Sequence, residues 1–133
     1  MPESHAPSLD GRVFKSVANA ESGDVGGDTY FWFDQSDDLL HATYRGGTVR
    51  LGHLVGRHLG DTLDFRYSHV TEDGTTATGH STDRIERLGD GRLRLHEDWS
   101  WDSKPGSGTS VLEELTDEER AGLDLSPESF DGR

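Results

Sequence analysis

Between about Gly11 and Leu115 the chain is cut into short segments rich in β-branched and aromatic residues, separated by Gly, Asp and Ser clusters at intervals of ~8–12 residues. That punctuation leaves no room for long helices and predicts an all-β fold, a sandwich or a barrel. The candidate strands are about Arg12–Asn19, Thr29–Asp34, Leu39–Arg45, Thr48–Gly56, Thr62–Val70, Thr76–Leu88, Arg92–Trp101 and Gly108–Leu115. Eight strands in succession, joined by tight turns, suit an eight-stranded antiparallel up-and-down barrel, which leaves no strand edge exposed.

Turns fix which residues oppose one another, and therefore which share a face. A two-residue turn at Gly46-Gly47 sets Tyr44 opposite Val49, Ala42 opposite Leu51 and Leu40 opposite His53. Around Glu72-Asp73-Gly74 the same rule sets His69 opposite Ala77, Tyr67 opposite Gly79 and Phe65 opposite Ser81. Around Gly89-Asp90-Gly91 it sets Asp83 opposite Glu97, Ser81 opposite Trp99 and Gly79 opposite Trp101. Small residues beside large aromatics make room inside a curved sheet, and Gly79 marks a bend or a cavity floor. The inward face then collects Tyr30, Trp32, Leu40, Ala42, Tyr44, Val49, Leu51, His53, Val55, Leu63, Phe65, Tyr67, His69, Ser81, Asp83, Leu95, Glu97, Trp99 and Trp101. A barrel of this size either fills itself or holds one small ligand; scattered polar groups among these aromatics favour the ligand, and a filled core with Tyr and Trp at its rim is the alternative.

On the opposite parity, Phe31 and Phe33 lie outside with Leu39 and His41. Adjacent outward aromatics predict a covered patch, most simply a homodimer contact through Phe31 and Phe33; the alternative cover is the C-terminal tail. Thr116 to Glu119 forms a capping box, so about one helical turn is expected within residues 116–133. Residues 1–10 and the acidic end beyond Ser126-Pro127 are expected to lack fixed structure, leaving residues 11–115 as the barrel domain.

Composition limits the partners. A formal charge of −13, with Lys only at Lys15 and Lys104, offers no basic stripe to nucleic acid. The acidity with 17 Gly fits a halophilic or GC-rich source as well as it fits any partner. No apolar run approaches the ~18 residues that span a bilayer, and Met1–Asp10 lacks the pattern of a secretory signal, so no membrane partner and a cytoplasmic location are expected. With no cysteine, thiolate catalysis and Cys-based metal sites are excluded. Gly-x-Gly-x-x-Gly, Gly-Lys-Ser/Thr and Gly-x-Ser-x-Gly motifs are absent, so no cofactor is expected.

Seven His residues invite a metal reading, but His41, His80 and His96 fall on the outward parity. His53 and His69 fall inside, ~13 Å apart in this register, too far to share an ion. Carboxylates cluster better: Asp83 and Glu97 are cross-strand neighbours, Glu113 joins them if Val111 faces inward, and like charges so close raise a pKa. Arg66 or Arg50 at a barrel mouth would instead turn them into a structural ion-pair network. Two functional readings follow. The first is a binder of a small apolar or aromatic molecule, gripped by Trp32, Phe65, Tyr67, Trp99 and Trp101 and oriented by Glu97, His53, Tyr44 and Ser81. The second is a cofactor-independent isomerase, cyclase or lyase with Glu97 as general acid or base beside Asp83 or His69. A third class, a structural or interaction module, would work through Phe31 and Phe33.

The stretches Tyr44-Arg45-Gly46-Gly47, Gly52-His53-Leu54-Val55-Gly56, Phe65-Arg66-Tyr67-Ser68-His69, Leu93-Arg94-Leu95-His96-Glu97 with Trp99 and Trp101, and Gly108 to Glu114 resemble a family of small one-domain bacterial proteins. Its members often carry the label N-acetylglutamate synthase, and the resemblance, over about Val13 to Leu115, implies an avidin-like or lipocalin-like barrel. It brings no catalytic residue with it. The chain lacks the Arg/Gln-x-x-Gly-x-Gly/Ala pyrophosphate loop and the α/β alternation of an acetyltransferase, so acetyl transfer is not expected. The ligand residues of avidin do not map by motif, so biotin binding is not expected either.

Overall fold

A computed structural model describes residues 7–19 and 29–122. Its elements are β1 (Val13–Asn19), β2 (Tyr30–Ser36), β3 (Leu39–Gly46), β4 (Val49–Leu59), β5 (Thr62–Thr71), β6 (Thr76–Arg87), β7 (Leu93–Trp101), β8 (Ser107–Glu114) and α1 (Asp117–Ala121). Each strand pairs antiparallel with the next, and β1 pairs with β8, closing an eight-stranded barrel. No helix among the described residues is long and apolar enough to cross a membrane. The capping box forms: Thr116 Oγ1 accepts from Glu119 N–H, and the Glu119 carboxylate accepts from Thr116 N–H. Glu119 also pairs with Lys15 of β1, which anchors the helix beside that strand rather than over Phe31 and Phe33. The acidic end beyond Ser126 and residues 1–6 lie outside the described residues. Leu9, expected in the structureless N-terminal segment, is fully buried in the core, and its N–H donates to Gln35 Oε1.

The hairpins β5–β6 and β6–β7 adopt the register predicted from their turns. His69, Tyr67 and Phe65 oppose Ala77, Gly79 and Ser81, and these last two oppose Trp101 and Trp99, with Asp83 opposite Glu97. Three other strands depart from expectation. β2 has the reverse parity: Phe31 (3% exposed) and Phe33 (2%) belong to the core, while Tyr30 and Trp32 face outward. The cause is a two-residue turn at Asp37-Asp38, with Asp37 left-handed at φ 55°, which pairs Ser36 with Leu39 and so Phe33 with Ala42 and Phe31 with Tyr44. A homodimer contact through Phe31 and Phe33 is thereby ruled out.

β4 carries one extra residue near Arg50, a bulge visible as a register shift against both β3 and β5. A single inserted residue exchanges the two faces of everything after it. Val49 remains inside, but Leu51, His53 and Val55 turn outward, and Gly52, Leu54 and His58 face the interior. In β8, Ser110, Leu112 and Glu114 point inward, which puts Val111 and Glu113 outside. Glu113 there pairs with Arg92 and Arg94.

The interior is zoned along the barrel axis. The end closed by the β2–β3, β4–β5 and β6–β7 turns is mainly aliphatic, packed with Leu9, Leu40, Leu54, Leu63, Leu93, Leu95 and Leu112 around the Phe14–Phe33 ring pair. Each fully buried Leu contributes roughly 2 kcal/mol of transfer free energy, so this end anchors the fold. Ala77, Trp99 and Trp101 form a separate cluster at the other end, with Tyr67 bridging the two.

Candidate functional site

The aromatic end is built from three consecutive strands whose inward positions alternate large and small. β7 contributes Trp99 and Trp101, with ring centroids 5.5 Å apart, and β5 contributes Phe65, Tyr67 and His69. β6, between them, supplies Ala77, Gly79 and Ser81. Gly79 is required here because a Cβ would lie 2.4 Å from Tyr67 Oη and 2.5 Å from the Ser100 carbonyl oxygen. Tyr67 thus lies over Gly79, donates to Ser100 O at 3.3 Å, and meets Trp101 edge-on at 5.8 Å. His69 sits 5.6 Å from Trp101 and stacks on Tyr67. Its Nδ1 is hydrogen-bonded to Tyr44 Oη at 2.8 Å, and Phe31 stacks on the Tyr44 ring at 4.8 Å. From the loop after β7, the Lys104 ammonium lies 4.5 Å from the Trp101 ring centroid, a cation–π contact.

Beneath these rings runs a polar belt. Asp83 is 1% exposed, and its Oδ1 accepts from Ser81 Oγ at 2.6 Å. No N–H or hydroxyl group of the described residues reaches its Oδ2, which leaves the Glu97 carboxyl as its partner. Glu97 faces it across the β6–β7 ladder and is also bonded to Ser110. Burial, then the Glu97 charge, pushes the Asp83 carboxyl well above its ordinary range, and burial pushes Glu97 up to about 7. Two carboxyls so placed can bond only through a shared proton. One repeat of the pleat, about 7 Å, separates the Asp83–Glu97 pair from Ser81–Trp99.

Of the residues singled out in the sequence, the structure gathers Tyr44, Phe65, Tyr67, His69, Ser81, Asp83, Glu97, Trp99 and Trp101 inside the barrel. Trp32 is a correction: it lies on the outer wall, under the Arg45 guanidinium at 5.1 Å from its ring centroid. His53 is the second: it points outward beside His41, with Nδ1 to Nε2 3.1 Å. His53 and His69 are adjacent in register but on opposite faces, so separation along the axis is not what keeps them apart. Glu113 is the third, held outside by arginines, with Ser110 in the place expected for it. Arg66 pairs with Asp102 on the outer surface and does not neutralise the acid pair. Next to the candidate site, Phe31 and Ser110 are inward groups that the sequence reading missed; the Asp37-Asp38 turn carried the signal for Phe31.

Two concavities open on the outer wall. One, of about 460 Å³, lies over β6–β8, where Asp83, Glu97 and Ser110 line it along with Thr62, Thr82, Arg84, His96, Asp98, Thr109 and Val111. The other, of about 350 Å³, lies beside Asp34, Leu39, His41 and Val55. No group of three or more His, Asp or Glu among the described residues is arranged to hold a metal ion.

Comparison with curated proteins and with solved structures gives no match. A family model described as avidin-like protein matches residues 7–115, the span of the closed barrel from the buried Leu9 to the end of β8. On that match and that architecture, the chain belongs to the avidin-like protein family.

Proposed function

We propose that this barrel binds a small, largely apolar or aromatic molecule at its aromatic end. The observation that carries the reading is the segregation of the interior. Trp99 and Trp101 form with Ala77 a cluster apart from the main core, bridged to it by Tyr67, with the Ser81–Asp83–Glu97 belt directly below. Large rigid rings supply contact area at little entropic cost, and a few buried polar atoms supply orientation. Native mass spectrometry of freshly purified protein is expected to show a co-purified small molecule. Titration with flat apolar probes such as 2-naphthol is expected to quench the tryptophan fluorescence, and Trp101→Ala to weaken that binding at least tenfold. An unliganded mass together with no quenching by any probe would overturn the reading.

A second reading, acid–base catalysis by Glu97 with Asp83 or His69, is favoured by a carboxyl held near neutrality. It requires Glu97→Gln to cost ~10²-fold or more in rate with little loss of binding. A homodimer, if formed, is best supported at the outer face of β3–β4. Leu39 (63% exposed), Leu51, Val55 (64%) and Leu59 are exposed there beside the 350 Å³ depression. Val55→Glu would then lower the mass measured by light scattering from dimer to monomer, and a monomeric wild type would refute the contact.

A further inference from the structure

We propose that the ligand is an aromatic cation, an amidinium or protonated amine on a flat ring, with its charged group against Asp83 and Glu97 and its ring among Trp99, Trp101 and Tyr67. The inference rests on the binding reading above and names the class of molecule that site takes.

Three observations point the same way. Asp83 is buried, no N–H or hydroxyl of the described residues reaches its Oδ2, and Glu97 is the one group there to bond it, so a single shared proton is all that offsets the desolvation of two acids. Between the acid pair and the aromatic end no inward strand position carries Lys or Arg, and Arg87, on the same parity of β6 opposite Leu93, is exposed at the far end of the strand, so the acid pair faces no fixed cation on the aromatic side. The rings above it are of the kind that attract positive charge, and the chain's own Lys104 already places an ammonium 4.5 Å from the Trp101 centroid. A ligand cation would take the place of the proton that the two carboxyls share, leaving both ionised and each facing positive charge.

The other ionisable groups that face the interior are Tyr44 from β3, His58 from β4, Tyr67 and His69 from β5, and Glu114 from β8. His58 is bonded to Gln35 Oε1 and Gly60 O, and Glu114 to Arg12 and Leu93 N–H, all at the aliphatic end. Tyr44 and His69 bond each other. Asp83 and Glu97 are thus the inward groups left to exchange a proton for a ligand, and the affinity for a cation rises with pH as that proton becomes easier to displace.

The experiment is calorimetric titration of the full chain with benzamidine and with its neutral isostere benzamide, at pH 5.5 and pH 8, in two buffers of different ionisation enthalpy. The expected result is that benzamidine binds at least tenfold more tightly than benzamide at pH 8, weakens about tenfold or more at pH 5.5, and there releases close to one proton per molecule bound. Glu97→Gln is expected to reduce the preference and Asp83→Asn to reduce it further; the proton count on the wild type needs no variant to fold. Benzamide binding as tightly as benzamidine, or benzamidine binding without proton release at pH 5.5, would overturn the cation assignment and leave the binding reading standing. If 2-naphthol binds and benzamidine does not, the assignment alone fails. If no probe binds, both fail.

Discussion

Replacing Glu97 by Gln should make the protein more stable at pH 8 and leave it nearly unchanged at pH 4. The Glu97 carboxyl lies at about 7 in the folded chain against an ordinary 4.5, chiefly because burial disfavours its ionised form. Between those two pH values the folded state holds a proton that the unfolded state has released. Stability is therefore full below about pH 4.5 and is lost as pH rises through 7, at most ~1.4 kcal/mol per pH unit for one proton. The whole interval is worth about 3 kcal/mol as an upper limit. Gln has nearly the shape of the protonated acid and does not titrate, so Glu97→Gln removes that loss. Asp83 is relieved of a charged neighbour as well. The assay is urea denaturation of both proteins at pH 4, 5, 6, 7 and 8. The diffuse repulsion of a chain of net charge −13 is nearly common to both and drops out of the difference. The midpoints should coincide at pH 4, diverge progressively between about pH 4.5 and 7 and keep a constant gap above that, with the variant ahead by up to about 3 kcal/mol at pH 8. Parallel curves, or a variant less stable than wild type at pH 8, would show that Glu97 is not held protonated by burial.

Three other outcomes test the packing. Phe33→Ser should cost roughly 3–5 kcal/mol in thermal or chemical melts, as loss of a core ring does, and should leave the solution mass unchanged, whereas a surface Phe33 would give the opposite. Gly79→Ala should destabilise by about 1–3 kcal/mol and alter the near-ultraviolet circular dichroism, because the added methyl displaces Tyr67 or the Ser100 carbonyl; an unperturbed spectrum would contradict the close approach. Thr116→Ala should cost about 1 kcal/mol through loss of the N-cap, read from the denaturation midpoint, and a neutral result would mean that α1 adds nothing to the barrel.

The parts of the fold that were legible in the sequence were those where turn chemistry and face chemistry agreed. In β5 to β7 the alternation of Ser81, Asp83 and Ile85 against outward Thr82 and Arg84 leaves one consistent parity, and the Asp-Gly turns set the register. Tyr30-Phe31-Trp32-Phe33 gives no such contrast, since both faces are aromatic and only the Asp37-Asp38 turn distinguishes them. The β4 bulge is invisible to periodicity because Leu51, Val55 and Leu54 are all apolar. Its trace is Gly52 and Gly56, where a Cβ would meet Tyr44 of β3 and Phe65 of β5. Ser110-Val111-Leu112 is ambiguous for the same reason: Val and Leu are equally suited to burial. The acid pair was legible because register alone brings Asp83 to Glu97, whereas the absence of a neutralising Arg depended on where Arg66 turns.

Closure of the barrel by β1 also sets an order of assembly. Every other ladder joins strands that follow one another along the chain, so β2 to β8 can grow hairpin by hairpin at small loop-closure cost. β1 must return from the far end of the chain to meet β8, and it touches β2 in register only through Val13, Phe14 and Lys15. Between β1 and β2 the wall has a short seam, unlike the long β4–β5 ladder on the other side. That seam is the natural place for the wall to part first, and amide exchange should find Phe31 and Trp32 less protected than Leu54 and Phe65. Phe14 and Phe31, buried neighbours across the seam, are then the two rings that act as its latch.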